Sequence, residues 1–330
     1  MLPKLIGPRP VSKPAAQTLL RNHGFHDPAR VFAAIRRLHE DELQRRNLMK
    51  IFGHLIRACE KSADPDRALV NFERLVAALP NPNIFYHYLQ ESPDRLELLV
   101  RVFAHSQALA DTLTRNAEHF HFLIAPQTLE KPRGKTWLAA ELTRLLLPIR
   151  VPVQKYDAIR RFRRRETLRI GARDLIGRAT VEETTLELSN LADVCLQAVF
   201  EVAQEKLCAE LKIRRGDPLR SPSGPSTMGQ TRESAPTSRF VIIGMGKLGG
   251  QELNYSSDVD VIFLYGEEGQ LTPALTNHQF YTKLAEEIIR AVGAASAEGN
   301  IFRIDLRLRA AGAGRCGKCC PRRSPRRPRE

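Results

Sequence analysis

Asp258 and Asp260 stand one residue apart at the head of the apolar run VDVIFLY (259–265). Side chains alternate along a strand, so the two carboxylates project from one face about 7 Å apart while Val259 and Val261 turn into a core. Oxygen ligands at that separation suit Mg²⁺, which also keeps water and accepts phosphate oxygens. Upstream, FVIIGMGKLGG (240–250) ends an apolar run in a glycine turn. The N–H groups of such a turn can cradle phosphate, which makes Gly244, Gly246, Lys247 and Gly249 candidate phosphate-binding residues. Downstream, IFRIDLRLR (301–309) alternates and puts Asp305 on its polar face with Arg303, Arg307 and Arg309. Asp305 is either the third carboxylate of a two-metal centre or the ion-pair partner of Arg303 or Arg307. Asp258, Asp260 and Asp305 are therefore the candidate catalytic and metal-binding residues. Arg307 and Arg309 could stabilise phosphate charge. Ser256 and Ser257 either bind phosphate or cap their turn, and Lys247 either binds phosphate or is simply solvated.

Two other glycine-rich sites are excluded by spacing. Gly244-x-Gly246-x-x-Gly249 matches the dinucleotide pattern, but Gly249 to Val259 leaves no room for a crossover helix. The acids also come at the start of the second strand rather than about 20 residues on. A P-loop needs Ser or Thr after its Gly-Lys pair, whereas Lys247 is followed by Leu248.

The elements that must position these residues divide the chain. Residues 1–29 read as a flexible arm. Residues 30–213 read as an irregular all-helical domain, with Asp27 and Pro28 starting a helix. Leu96, Leu99, Val100 and Phe103 recur at helical spacing, and a break near Gly177–Thr180 is followed by a capping box, Thr180 to Glu183. Residues 214–239 are rich in Pro, Ser and Gly and read as a linker or insertion. Residues 240–309 read as a mixed α/β core of short strands and one amphipathic helix, NHQFYTKLAEEIIRAVGA. The expected class is α+β.

The chain has 330 residues, 42% hydrophobic and 27% charged, enough for about two domains. It lacks an 18-residue apolar run and a signal-peptide centre, so a cytoplasmic protein without a membrane span is expected. The net charge of +14 invites a nucleic-acid reading. Much of it, however, sits in RRFRRRETLR (160–169), read as a solvated helix face, and in the last 21 residues, so nucleic acid is not the expected partner. Cys59, Cys195 and Cys208 read as buried thiols, and the CxxC of CGKCC (316–320) has no second ligand pair. His119 and His121 fall on different faces of a helix, which favours packed or exposed histidines over metal binding.

Glycine turn, Asp-hydrophobic-Asp and a later strand acid form the pattern of the nucleotidyltransferase superfamily typified by DNA polymerase beta. GMGKLGGQELNYSSDVDVIF (244–263) and FRIDLRLR (302–309) more narrowly resemble the bifunctional glutamine-synthetase adenylyltransferase/adenylyl-removing family. YDAIRRFRRRETLRIGARDLIG (156–177) and NPNIFYHYLQESPDRLELLVRVFAHS (81–106) resemble its helical region. The resemblance spans about residue 30 to Arg309. It implies a polymerase-beta-like core, Mg²⁺ at a two-metal site, and an adenine nucleotide and inorganic phosphate as substrates or products. Glutamine synthetase would be the target and a PII-type nitrogen-signalling protein a further partner. The long helical preamble and the LNYSSD wording favour the half that removes AMP from a tyrosine by phosphorolysis, giving ADP, over the half that attaches AMP from ATP. Residues 310–330, rich in Cys, Pro and Arg, depart from the family pattern and read as a shifted reading frame that truncates the core. A nucleotidyltransferase with another target and an inactive binding fragment are the competing expectations.

Overall fold

A computed structural model describes residues 2–7, 11–213, 240–266 and 269–305. The linker at 214–239, the tail at 310–330, and Arg307 and Arg309 lie outside the described residues. The protein is mostly helical with a small mixed sheet, an α+β architecture. It forms two compact units: residues up to Pro132 with Arg165–Val181, and Arg133–Arg164 with Glu182 onward.

The first unit contains α1 (Lys13–Asn22), α2 (Pro28–Arg37), α3 (Glu42–Glu60), α4 (Pro65–Ala78), α5 (Pro82–Glu91), α6 (Pro93–His105), α7 (Gln107–Arg115) and α8 (His119–Ile124). Local chemistry sets many of the starts. Asp27, Asp41, Asp64, Asn81 and Ser106 each accept a backbone N–H of the first turn, satisfying a donor that the helix leaves open. Pro28, Pro65, Pro82 and Pro93 open their helices, where the missing N–H costs nothing. The core gathers Phe52, Phe72, Phe85, Tyr86, Phe103 and Phe120. Phe85 meets Phe120 edge-on at 4.8 Å between centroids. Burial pushes the Cys59 thiol pKa up and leaves it inert. Cys195 is also buried and Cys208 half-buried.

Two expectations are corrected here. The segment 1–29 is not an unstructured arm: α1 lies within it, and Leu5, Ile6, Ala16, Leu20 and Phe25 are buried in the core. Proline and scattered charge hide an apolar set that pays its ordering entropy only by packing on helices distant in sequence. The helical region 30–213 is also not one body. Between α9 (Lys135–Leu146) and α11 (Val181–Glu210) runs α10 (Pro152–Leu175); its residues through Arg164 belong to the second unit and those from Arg165 to the first.

The second unit adds β1 (Phe240–Met245), the single turn α12 (Gly246–Gly249), β2 (Val259–Tyr265), β3 (Gln270–Thr272), β4 (Leu275–Thr276), α13 (Asn277–Gly293) and β5 (Ile304–Asp305). β2 is the central strand, antiparallel to β1 and parallel to β5. Parallel pairing requires a crossover, and α13, started by a Thr276–Gln279 capping box, supplies it. So few strands need a cover. Val259, Val261 and Phe263 are buried on one face of β2, and Phe280, Leu284, Ile288 and Val292 on α13. Phe240 stacks on Phe200, Phe263 and Tyr281 at 5.4–5.7 Å.

Candidate active site

Alternation on β2 holds as expected. Val259, Val261 and Phe263 are buried, and Asp260 lies on the opposite face. Val259 pairs with Ile304 and Asp260 with Asp305. Neighbouring residues in register share a sheet face, so Asp260 and Asp305 stand side by side on adjacent strands. Two residues back along each chain come Asp258 and Arg303, whose backbones are joined where Val259 N–H donates to the Arg303 carbonyl at 2.8 Å. The register thus brings Asp260 and Asp305 together on one sheet face, with Asp258 and Arg303 just before each strand.

The glycine turn abuts this face. Gly246 has φ +53°, and a Cβ there would lie 2.6 Å from Asp260 Oδ2. The Asp260 carboxylate therefore rests against bare backbone. A Cβ on Gly249 would lie 2.6 Å from the Gly244 carbonyl oxygen, so that glycine lets the turn fold back on β1. Lys247 is exposed on the turn. α11 anchors the segment that follows: Ser189 Oγ accepts the Leu253 N–H at 3.0 Å.

Asn254 organises the loop into β2. Its Oδ1 accepts from the Ser256 N–H at 3.1 Å and from Ser257 Oγ at 2.7 Å. The Ser257 hydroxyl is thereby committed to the turn, and Ser256 contributes its carbonyl, which accepts from Arg303 Nη2 at 2.7 Å. Arg303 Nε also donates to Asp258 Oδ1 at 2.6 Å. Arg303, weighed with Arg307 as an ion-pair partner of Asp305, thus pairs with Asp258, and Arg307 lies outside the described residues. Among the described residues, no three His, Cys, Asp or Glu side chains gather into a group that could hold a metal. Asp260 and Asp305 as a pair still fit Mg²⁺, which commonly takes one or two carboxylates and completes its octahedron with water and phosphate oxygens.

The arginine run on α10 is not a solvated face, and this corrects the sequence reading. Arg160 and Arg164 are buried in the second unit. Arg160 donates to the Ala291 and Ala294 carbonyls at 3.0 and 3.2 Å and to Asp157 at 2.9 Å, closing the C-terminus of α13. Ser296 Oγ donates to the same Asp157 oxygen. Arg164 pairs with Glu298 at 2.8 Å. Arg163 lies 4.8 Å from the Phe302 ring centroid, and burial pulls its pKa below the usual guanidinium range. These side chains hold segment 294–302, which delivers Asp305 to its place. Charge density alone could not reveal this, because a solvated and an internally bonded arginine look the same in sequence. Asn254, Ser189 and Arg303 also escaped as positioning residues; only the Asn-x-Ser-Ser turn pattern hinted at the first.

His119 is buried, and His121 is exposed with its ring edge-on against Tyr88 at 5.2 Å, one packed and one exposed histidine as expected. A cavity of about 890 Å³ in the second unit is lined by residues including Leu142, Asp193, Phe200, Val241 and Leu248, but by none of the three aspartates. Among the described residues, no helix is long and apolar enough to cross a membrane.

Comparison with known proteins fits this geometry. The sequence model of the glutamate-ammonia ligase adenylyltransferase family matches residues 96–317. The match runs past Arg309 as far as Gly317. A bifunctional glutamine synthetase adenylyltransferase/adenylyl-removing enzyme of Thioalkalivibrio sulfidiphilus is 31% identical over 312 residues, 90% of this chain and 31% of the relative. Its counterpart in Pseudomonas aeruginosa is 36% identical over 223 residues, 67% of this chain and 21% of the relative. That of Mesorhizobium japonicum is 29% identical over 314 residues, 92% of this chain and 30% of the relative. The chain thus spans at most about a third of the length of these relatives. On the extent of the family match, the chain belongs to the glutamate-ammonia ligase adenylyltransferase family.

Proposed function

We propose that the second unit is a polymerase-beta-like nucleotidyltransferase core acting on glutamine synthetase, and that its reaction is phosphorolytic removal of AMP from an adenylylated tyrosine. The observation that carries the reading is the pairing of Asp260 with Asp305 beside the Gly246 turn, in a chain of this family. Asp260 and Asp305 would hold Mg²⁺. The bound ion would supply charge neutralisation on the phosphoryl oxygens. The turn at 244–249 and Lys247 would receive phosphate groups through N–H donors and an ammonium.

An oxygen of inorganic phosphate attacks the adenylyl phosphorus in line. The new P–O bond forms as the bond to the tyrosine oxygen breaks, the phenolate leaves and takes up a proton, and the product is ADP. The chain's part is alignment and electrostatics, which carry most phosphoryl-transfer catalysis.

The test is ADP release from adenylylated glutamine synthetase by the full chain with Mg²⁺ and phosphate, beside Asp258→Asn and Asp260→Asn. Phosphate-dependent ADP that falls on the order of 100-fold or more in Asp260→Asn is expected, as for loss of a metal-site group. AMP transfer from ATP to unmodified glutamine synthetase, without ADP release in the first assay, would reverse the assigned direction. No turnover in either assay from folded protein would leave a binding fragment.

A further inference from the structure

The outward face of α3, in the first unit, carries a row of positive charge. Arg46, Lys50 and Arg57 are exposed along it, and exposed Lys61 at the helix end continues the row. At 3.6 residues per turn the four cations fall within about 60° of one another, along about 22 Å of helix. They point away from buried Leu48, Ile51, Leu55 and Cys59. The bordering acids are engaged elsewhere or at the row's start: Glu60 with His23 at 3.4 Å, Glu42 with Arg45 and Arg46. The Lys50 ammonium reaches the Asn47 amide oxygen at 3.3 Å. Among the described residues, Lys50, Arg57 and Lys61 make no ion pair.

Two features of this face cost the free chain something. Arg46 and Lys50, and again Arg57 and Lys61, stand four residues apart, where like charges weaken a helix. Gly53 lies in the same face, and a glycine in a helix interior is destabilising. Beyond its own helix, a Cβ there would meet nothing closer than Arg57 Nη2 at 3.8 Å. Packing within the chain therefore does not ask for glycine. A partner that brings negative charge relieves the repulsion, and one that approaches the bare backbone uses the glycine. Aliphatic side chains beside the row mark that partner as protein. Leu43 and Met49 are exposed on α3, and the Asn47 Nδ2 bond to Asn83 Oδ1 at 2.9 Å sets the start of α5, with exposed Ile84, beside it. A phosphate polymer gives such side chains little to bury against. A lipid surface would need the apolar face of α3, which is spent on the core.

Resting on the reading of glutamine synthetase as the protein substrate, we propose that this face of α3 docks an acidic patch of that protein, with Gly53 at the point of closest approach. Every adenylylated tyrosine presents the same phosphate groups to the glycine turn, so recognition of one protein falls to surface outside that turn.

Binding of the full chain to adenylylated glutamine synthetase is measured by biolayer interferometry, and ADP release by the assay above. The variants are Lys50→Glu/Arg57→Glu/Lys61→Glu, Gly53→Gln, and a control, Arg101→Glu/Arg115→Glu/Lys131→Glu, which makes the same charge change at exposed residues of the first unit off α3. The α3 triple variant should bind about tenfold or more weakly and raise KM with kcat held, the mark of binding lost away from the chemistry. Gly53→Gln should melt higher than wild type, since glutamine is the better helix former. It should still bind about fivefold or more weakly, as for a residue central to an interface. The control should bind as wild type does. Wild-type affinity in either α3 variant overturns the docking face and leaves the substrate reading standing. An equal loss in the control does the same, by tracing the effect to net charge. Wild type that binds no glutamine synthetase, adenylylated or not, overturns the substrate reading and this proposal with it, whether or not the chain then binds duplex DNA or phosphatidylserine vesicles. If the α3 triple variant does not fold, Gly53→Gln decides, because that substitution strengthens the helix.

Discussion

At the residue scale, the glycine turn is where steric need and chemistry separate. Gly246 and Gly249 belong to one motif, yet their missing Cβ atoms face different neighbours. At Gly249 the obstacle is the Gly244 backbone oxygen at 2.6 Å, which cannot rotate away. Gly249→Ala should therefore destabilise the second unit by about 1–3 kcal/mol, the usual cost of overpacking. At Gly246 the left-handed backbone costs an alanine about 1 kcal/mol, and the Cβ would press on Asp260 Oδ2. Gly246→Ala should thus lose more ADP release than its modest stability loss explains. Trp137 is the chain's one tryptophan and belongs to the second unit. Its fluorescence during urea unfolding gives the stability change of each variant, and the ADP assay gives the activity. Equal ratios of activity loss to stability loss would show that Gly246 shapes the fold only.

At the element scale, buried charge does the aligning. The Arg160 guanidinium closes the end of α13 through two carbonyls and Asp157. Arg160→Met leaves those carbonyls without their donor and should cost the second unit about 2–4 kcal/mol, read by Trp137 fluorescence. The first unit uses the same chemistry. Glu166 and Arg169, one turn apart on α10, form a fully buried pair at 2.8 Å, and Arg165 also reaches Glu166 at 3.1 Å. Glu166→Ala takes a charged partner from the buried Arg169 guanidinium and should cost about 3–5 kcal/mol, seen in the far-ultraviolet dichroism melt.

At the scale of the whole molecule, a chain of net charge +14 takes on further positive charge as pH falls. His39 makes one step of that process unfavourable. Its Nε2 is buried with no hydrogen-bond partner among the described residues. Burial first, then Arg36 and Arg45, lower its pKa below 6.5, while Glu42 and Asp41 act weakly the other way. A depressed value means that the folded state resists a proton the unfolded chain accepts. His39 therefore costs nothing well above pH 6.5, and stability is lost as pH falls through 6.5 toward the folded value. Melting temperature should drop between pH 7.5 and 5.5, and His39→Gln should shallow that drop. An identical drop in the variant would assign the acid sensitivity to other groups.

Much of this protein was legible in local pattern. Helix starts at Asp27–Pro28, the break between α10 and α11, the buried alternation of Val259 and Val261, and the glycine turn all follow from dihedral limits, capping and periodicity, which act between neighbours in sequence. The resemblance that points to the family rested on such motifs too. Tertiary structure alone decided the rest. It drew Leu5, Ile6, Ala16, Leu20 and Phe25 into a core, divided α10 between two units, and buried arginines that read as solvated. It set Arg303 against Asp258. These outcomes depend on which distant groups meet and on whether a charge finds a partner when water is removed. Spacing along the chain carries no record of either.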